Sequence, residues 1–228
     1  MVTSTRDQSF LKELPLSQLP LVELGATRVI EPGAALWHEG VEARSIGIVL
    51  SGVAFITRFD PVGSIDTPTG VAAAGQLIGH DALAGGRRTS TVSARTRLRV
   101  CVIHVDRVLD VVQRTPRAAL LLTSLLAQHA AIAEGAAAAS RDPIVEGRVV
   151  RWLVHLAAQL GRGVDHAVIP LSQADLAQLC ATRRPTLNVV LRSLVQAGAI
   201  DVSRSRIVVR DVAALVDRYG ERTTRLAS

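Results

Sequence analysis

Three polar side chains are spaced so that they share one face of a predicted helix near the C-terminal end of the chain. Arg184, Asn188 and Arg192 follow one another at intervals of four residues, which places them in a single stripe along a helix. Apolar residues at i, i+3, i+4, i+7 and i+8 define a second, buried face; they are Leu187, Val190, Leu191, Leu194 and Val195. A short helix with an apolar back and an Arg/Asn front suits the major groove of DNA.

A second short helix is predicted just before this one, so that residues 171–196 form two helices joined by a tight turn. Ser172 is a good N-cap for the first helix, and Asp175 favours the positive end of that helix. Thr182 is the expected cap of the second helix. Pro185 is compatible with the first turn of that helix, where its missing N–H group has no intrahelical partner to lose.

We expect the side chains at the start of the second helix to contact base edges. Arg184 is the candidate for a base, because arginine can bind guanine with two hydrogen bonds, worth about 1–3 kcal/mol of discrimination. Arg183, Thr186 and Asn188 are candidates for bases or phosphates. The phosphate candidates are Arg192, Ser172 and two residues of a following hairpin, Arg204 and Arg206. Alone, the arginines would fit a solvated helix face equally well; the caps, the apolar spacing and the basic hairpin together favour DNA.

The surrounding elements complete a winged helix. The pattern predicts a helix from Ile144 to Leu160, a Gly-Arg-Gly turn and a short strand, AVIP, before the motif. A β-hairpin, AIDVSRSRIVVR, and a final helix from Asp211 are predicted after it. Residues 140–143 mark a hinge, with Asp142 as the N-cap and Pro143 as the first residue of the following helix.

The N-terminal half has the pattern of an antiparallel barrel or roll. A short helix is predicted at residues 16–24. From Thr27 to about Val105, short β-rich runs are separated by turns that contain glycine, which is typical of an antiparallel all-β unit.

The periodicity becomes helical from Asp106 onward. A short helix, a break near Thr115 and Pro116, and then a long Ala/Leu-rich helix interrupted by Gly135 are predicted. Because the long helix carries apolar residues on more than one face, we expect a partner chain to cover it; the alternative is burial within its own domain.

Composition and charge agree with a two-domain chain whose C-terminal part meets phosphates. The chain has 228 residues, of which 48% are hydrophobic and 3% aromatic, with a net charge of +6. From residue 141 onward 13 arginines face 8 acidic residues, whereas the first 140 residues hold 13 basic and 12 acidic groups. The surplus of positive charge from residue 141 onward favours contact with a polyanion. We find no uninterrupted apolar run of membrane-spanning length and no signal-peptide pattern, so we expect a cytoplasmic protein without a membrane partner.

Catalytic, metal and haem chemistry are not favoured. Cys101 and Cys180 are too few for an iron–sulfur cluster and lack the spacing of structural zinc sites, so we expect buried or inert thiols, no disulfide and no metal. The histidines His38, His80, His104 and His129 are scattered, which does not favour haem. No G-x-S-x-G, H-E-x-x-H or P-loop pattern is present, and we expect no enzyme.

The order of these parts resembles the catabolite-activator/FNR-type (CRP/FNR) family of bacterial transcription regulators over nearly the whole chain. The resemblance rests on the segments EPGAALWHEG, IVLSGVAFI, GQLIGHDAL followed by RRTSTVSAR, the helix and hinge from Pro116 to Gly147, and residues 171–196 with their hairpin. The resemblance implies an α+β fold: a cyclic-nucleotide-binding-like β-roll at residues 1–115, a dimerisation helix and hinge at 116–140, and a winged helix-turn-helix domain at 141–228. Members act as homodimers on two half-sites of double-stranded DNA and often contact RNA polymerase.

The resemblance also implies an effector pocket. In cyclic-nucleotide-binding members a segment like GHDAL and an Arg-Ser or Arg-Thr pair surround the cyclic phosphate, whose charge needs N–H groups and an arginine. The matching residues here are Gly79, Arg88 and Thr89.

Three further positions of that pocket depart from the family. His80 replaces a glutamate that binds the ribose, and Ala133 and Glu134 stand on the long helix where activators use hydroxyl groups against adenine. No cofactor is therefore assigned. Cyclic AMP, an empty or ligand-independent roll, and a different effector such as an apolar molecule remain alternatives.

Two functions compete at this stage. The first is a dimeric, sequence-specific DNA-binding transcription regulator. The second is a cyclic-nucleotide-binding regulatory module that acts mainly on a protein partner. The basic hairpin and the complete recognition helix favour the first. Pro185 stands where activator-type members carry a base-binding glutamate, so their half-site is not transferred to this chain.

Overall fold

The computed structural model describes residues 21–160 and 166–217. The chain forms two compact units, Met1–Ala131 and Ile132–Ser228. The boundary between them falls inside the long helix, and the three-part division at residues 115 and 140 stays a prediction. The expected helix at residues 16–24 lies largely outside the described residues, which begin there with a short 3-10 helix, Leu21–Leu24. The Gly-Arg-Gly turn lies wholly outside them.

The first unit is an antiparallel β-roll, as the glycine-punctuated strand pattern predicts. Two four-stranded sheets have the strand orders β1-β8-β3-β6 and β2-β7-β4-β5. The strands are β1 Ala26–Ile30, β2 Ala35–Trp37, β3 Ser45–Ser51, β4 Val53–Asp60, β5 Ile65–Ala73, β6 Leu77–Ile78, β7 Thr91–Ala94 and β8 Leu98–His104.

Two apolar clusters hold the roll together. One contains buried residues of both sheets, among them Val49, Ala54 and Leu98. The other joins strand residues such as Ile46 and Ile103 to the helices that follow the roll. Between β3 and β4 the chain turns at Gly52, whose φ of +89° is left-handed and whose missing Cβ leaves room for the carbonyl of Arg97, so only glycine fits this turn.

Two helices follow β8: α1 at Val105–Arg114 and α2 at Pro116–Ser140. The break between them lies at Thr115, which is extended with φ −133° and ψ 102°, because a residue before proline avoids the helical region. Buried residues of α2, including Leu121 and Leu125, belong to the core cluster of the roll. On another face Leu120 is 69% exposed.

The prediction that Gly135 interrupts the long helix is wrong, since α2 runs unbroken to Ser140. A Cβ at Gly135 would lie 2.7 Å from Nδ1 of His155. Glycine inside a helix costs only about 1 kcal/mol relative to alanine. Here it allows the imidazole ring of the next helix to approach the helix backbone.

By length and composition alone, α2 is long and apolar enough to cross a membrane, and it is the one described helix that meets this criterion. The expectation that no such segment exists is therefore too strict. The same composition occurs in core helices of soluble proteins, and only one face of α2 carries the buried residues of the roll core.

The second unit is a winged helix. Its elements are α3 Val145–Leu160, β9 Ala167–Ile169, α4 Gln173–Leu179, α5 Arg184–Gln196, β10 Ile200–Val202 and β11 Ile207–Val209, and residues 212–217 are helical. The three strands form an antiparallel sheet in the order β10-β11-β9. Trp152 and Leu156 of α3, with Leu176, Leu187 and Ile207, are fully buried.

The start of α3 corrects a detail of the predicted hinge. Pro143 is not the first helical residue, because α3 begins at Val145 and the carbonyl of Ile144 accepts the helical hydrogen bond from Arg148. Oδ1 of Asp142 accepts the N–H of Ile144 at 2.9 Å. Asp142 therefore stabilises a turn just before the helix and is not its N-cap.

Candidate DNA-binding surface and effector site

The first helix of the helix-turn-helix begins on a complete capping box, which confirms Ser172 as its N-cap. The Asp175 N–H donates to Oγ of Ser172 at 3.2 Å, and the Ser172 N–H donates to Oδ2 of Asp175 at 2.9 Å. The Ser172 hydroxyl also donates to Oδ2 of Asp175 at 2.7 Å. Both hydrogen-bonding functions of this hydroxyl are thus engaged within the protein.

The turn between α4 and α5 is formed by Cys180, Ala181 and Thr182. Ala181 has a left-handed φ of +45°, an unusual conformation for a residue with a Cβ. Cys180 is fully buried, and desolvation raises the pKa of its thiol to about 12. Burial also raises the pKa of Cys101. Both cysteines are free and buried, as predicted.

Thr182 does not cap the second helix, so that prediction is wrong. The N-cap of α5 is Arg183, which is extended and makes no capping hydrogen bond through its side chain. The Thr182 N–H instead donates to the carbonyl of Ala177 at 3.0 Å. Pro185 lies in the first turn of α5, as predicted.

The apolar face of α5 is narrower than the sequence pattern indicates. Leu187, Leu191 and Leu194 are buried and Val190 is half-buried, but Val195 is 42% exposed. Val195 comes eight residues after the buried Leu187, which is two full turns of helix plus about 80°. Val195 therefore lies at the edge of the buried face, not within it.

The predicted DNA-contacting side chains of α5 are exposed or half-buried. Arg184, Thr186 and Arg192 are exposed, Asn188 is half-buried, and Arg183 is exposed at the helix start. Of these, Arg184, Asn188 and Arg192 lie along one side of α5, because they are four residues apart. The sequence-predicted stripe is thus brought together on one surface.

The wing adds two more exposed arginines, Arg204 and Arg206, in the turn between β10 and β11. Ser203 closes this turn by donating its N–H and its hydroxyl to the carbonyl of Arg206, at 2.9 and 3.0 Å. Within residues 166–217, the arginines of α5 and the wing tip make no ion pair. By contrast, Arg210 binds Asp201 at 2.6 Å. The cationic groups of this surface are therefore available to phosphates.

Arg148 is a structural residue that the sequence analysis missed. Its Nε donates to the carbonyl of Cys180 at 2.8 Å, and its Nη1 donates to the carbonyl of Asp142 at 2.9 Å. One side chain of α3 thus connects the segment after α2 to the turn of the helix-turn-helix. Arg151 adds an ion pair to Asp142 at 3.0 Å. The only signal in the sequence is a pair of arginines three residues apart in the predicted helix that follows the hinge.

The predicted effector residues of the roll form a tight cluster around Arg88, whose side chain is 2% exposed. Its Nη1 donates to Oδ1 of Asp81 at 2.6 Å and to the carbonyl of Gly79 at 3.0 Å. Its Nη2 donates to the carbonyl and Oγ of Ser45, at 2.6 and 3.3 Å. The guanidinium carbon also lies 3.9 Å from the centre of the Trp37 ring, a cation–π distance.

Gly79 makes this packing sterically feasible. Its φ is +68°, and a Cβ there would lie 2.6 Å from Nη1 of Arg88 and 2.6 Å from the Trp37 ring. Thr89 faces the same carboxylate as Arg88, because its N–H donates to Oδ2 of Asp81 at 2.9 Å and its hydroxyl donates there at 3.3 Å. Asp81, Trp37 and Ser45 were not among the predicted site residues.

His80 faces another histidine. Its ring centre lies 4.1 Å from that of His129 on α2, and its Nδ1 is buried without a hydrogen-bond partner. Burial first, and then the neighbouring His80, lower the pKa of His129. A histidine in contact with a second histidine therefore stands where the resemblance expects a glutamate. Among the described residues no three His, Cys, Asp or Glu side chains are grouped to hold a metal.

Ala133 and Glu134 are exposed on α2 and belong to the second unit. The structure thus brings together four of the six predicted pocket residues, Gly79, His80, Arg88 and Thr89. That Ala133 and Glu134 belong to an effector pocket stays a prediction.

Comparison with known families matches both units. Residues 27–115 match the cyclic nucleotide-binding domain, and residues 147–218 match the Crp-like helix-turn-helix domain. Among curated proteins no sequence matches.

Solved structures share the fold. A CRP-family transcriptional regulator from Thermus thermophilus is 21% identical with a TM-score of 0.69, over 85% of this chain and 96% of the other. FixK2 from Bradyrhizobium japonicum is 15% identical with a TM-score of 0.73, again over 85% and 96%. The c-di-GMP-responsive regulator CLP of Xanthomonas campestris is 18% identical with a TM-score of 0.64, over 83% and 95%. With both domains matched in this order on this α+β fold, the chain belongs to the CRP/FNR family of transcriptional regulators, which are DNA-binding proteins and not enzymes.

Proposed function

We propose that this regulator binds DNA as a homodimer, with the α5 helix of each copy in the major groove of one half-site. The observation that carries the proposal is that α5 exposes Arg184 and Arg192 while its Leu187, Leu191 and Leu194 are buried. A helix with that division can enter a groove about 12 Å wide without losing its packing.

The residues of this surface divide into two roles. Arg184 contacts a base, because it lies in the first turn of α5, the end of a recognition helix that approaches base edges. Arg183, Thr186 and Asn188 contact bases or phosphates beside it. Arg192 and the wing residues Arg204 and Arg206 bind phosphates. Ser172 remains a phosphate candidate that would have to share its hydroxyl with Asp175.

Dimerisation is supported by an exposed heptad stripe along α2. Residues at alternating spacings of three and four, Leu120, Thr123, Ala127, Ala130, Glu134 and Ala137, are all exposed. This spacing is the seam of a two-stranded coiled coil, and small residues in it let two helix backbones approach closely. A second copy of the same chain supplies a matching seam. Two recognition helices would then be available to one DNA site.

We place this regulator in the cytoplasm, acting on transcription through contact with RNA polymerase, as in the family. The β-roll serves as the regulatory unit, and a small effector there would act by favouring one arrangement of α2 and residues 140–143.

Selection of bound duplexes from a random DNA pool tests the proposal. We expect an inverted repeat with half-sites centred about 10 base pairs apart. Enrichment of a single, unpaired half-site would contradict the dimer. No enrichment at physiological salt, with the protein folded, would overturn sequence-specific recognition by α5 and favour a module that acts on a protein partner.

A further inference from the structure

We propose that Asp81 is a built-in anion that occupies the anion-binding groups of the β-roll, so that the native protein does not bind a cyclic nucleotide at Arg88. Asp81 then determines which effectors the roll accepts. This role of Asp81 lies within the roll and does not depend on how the chain contacts DNA or pairs with a second copy.

The terminal nitrogens of Arg88 have no hydrogen left for a ligand. A guanidinium carries four N–H groups on its two Nη atoms and one on Nε. The four are matched by four acceptors within 3.3 Å: Oδ1 of Asp81, the carbonyl of Gly79, and the carbonyl and hydroxyl of Ser45. The remaining donor, Nε–H, is buried and has no partner, and Trp37 lies against the guanidinium.

The Asp81 carboxylate receives the donors that an anionic ligand would need. Oδ1 accepts from Nη1 of Arg88, and Oδ2 accepts from the N–H and the hydroxyl of Thr89. An arginine, a backbone N–H and a hydroxyl are a general recognition set for phosphate or carboxylate. In this protein these groups of Arg88 and Thr89 already bind the Asp81 carboxylate.

A ligand phosphate would have to displace this carboxylate, not join it. The side chains of Arg88 and Asp81 are only 2% and 9% exposed, so two anions beside one guanidinium would repel each other with little screening by water. Asp81 is also tethered to the same short segment as Gly79, and a tethered group competes at a high effective concentration. An effector of the native roll is therefore one that needs no anion site at Arg88.

The test removes the built-in anion and supplies others in solution. Binding of cyclic AMP, cyclic GMP, inorganic phosphate and acetate is measured by calorimetry and thermal shift on the full chain, for the wild type, Asp81→Ala and Asp81→Asn. Asp66→Ala, which removes an exposed carboxylate of the same roll, is the matched control. Asp81→Asn retains the side-chain size and covers the case in which Asp81→Ala does not fold.

The wild type and Asp66→Ala are expected to show no binding of cyclic nucleotides at millimolar concentration. Asp81→Ala is expected to melt several degrees lower and to be restabilised by acetate, phosphate or cyclic AMP, with anion affinity raised at least about tenfold. Adding Thr89→Ala should remove much of the gained affinity. Micromolar binding of cyclic AMP by the wild type would overturn the proposal. So would folded Asp81 variants that bind none of these anions better than the wild type.

Discussion

Two arginines of this chain show how far residue type alone determines a role. Arg88 is buried, with both Nη atoms fully hydrogen-bonded, whereas Arg184 is exposed and makes no ion pair within the described residues. The sequence identified both as anion-binding candidates. It did not identify Asp81, since that role depends on a short 3-10 helix, His80–Leu83, bringing position 81 against positions 88 and 89.

The turn of the helix-turn-helix contains a residue in a costly conformation. Ala181 has a φ of +45°, and a left-handed conformation costs an L-residue about 1–2 kcal/mol. Ala181→Gly would remove that cost, while the extra freedom of glycine in the unfolded chain would return about 0.5–1 kcal/mol. We expect the free energy of unfolding of the second unit to rise by about 0.5–1 kcal/mol.

Chemical denaturation monitored by the fluorescence of Trp152, which is buried in the second unit, measures this change in a Trp37→Phe background, where Trp152 is the remaining tryptophan. Ala197→Gly at the C-cap of α5, where φ is −77°, is the matched control and should not stabilise. A destabilised Ala181→Gly protein would show that the left-handed turn is not strained.

At the scale of elements, the periodic segments and most of their limits were predictable, whereas several details of capping and burial were not. The roll, the break at Thr115, and the helix-turn-helix with its wing follow from apolar spacing, proline and turn residues. The errors at Gly135, Pro143, Thr182 and Val195 have a common origin. Each depends on a tertiary contact or on an exact angle around a helix, such as the His155 ring against Gly135, that local propensity does not encode.

The exposed stripe of α2 yields a prediction for the oligomeric state. Ala127 lies in the middle of the stripe and is exposed. A glutamate there would place two carboxylates against each other across a symmetric seam, one heptad before the pair that Glu134 already places in it, so that like charges would face each other at two successive a positions. Ala127→Glu is expected to weaken the dimer by at least about tenfold, a cost of about 1.4 kcal/mol.

Sedimentation or light scattering across a dilution series measures that dimer. Gln128→Glu adds the same charge one residue along, at an exposed position of α2 outside the stripe, and should leave the dimer intact. Equal weakening by both variants would indicate a general charge effect, and a monomeric wild type at every concentration would exclude the seam.

At the scale of the whole molecule, charge and fold point to the same end of the chain. The basic excess lies from residue 141 onward, in the unit whose exposed arginines lie on α5 and the wing. The order of elements and the motifs within them were enough to predict the family. The effector was not predictable, because the contact that we propose to exclude anions from the roll is an ion pair between side chains seven residues apart.

The central claim is that Arg184 specifies sequence while the wing arginines provide sequence-independent affinity. The most direct measurement is the binding of Arg184→Ala and Arg204→Ala to the selected operator and to a scrambled duplex over a range of salt concentrations. Arg58→Ala, which removes an exposed arginine of the roll, is the matched charge control.

We expect Arg184→Ala to lose about 1–3 kcal/mol on the operator and far less on the scrambled duplex. Arg204→Ala should weaken both duplexes by a similar factor and reduce the salt slope by about 1, while Arg58→Ala should bind like the wild type. Equal losses on both duplexes for Arg184→Ala, with the same change in salt slope as for Arg204→Ala, would contradict the account.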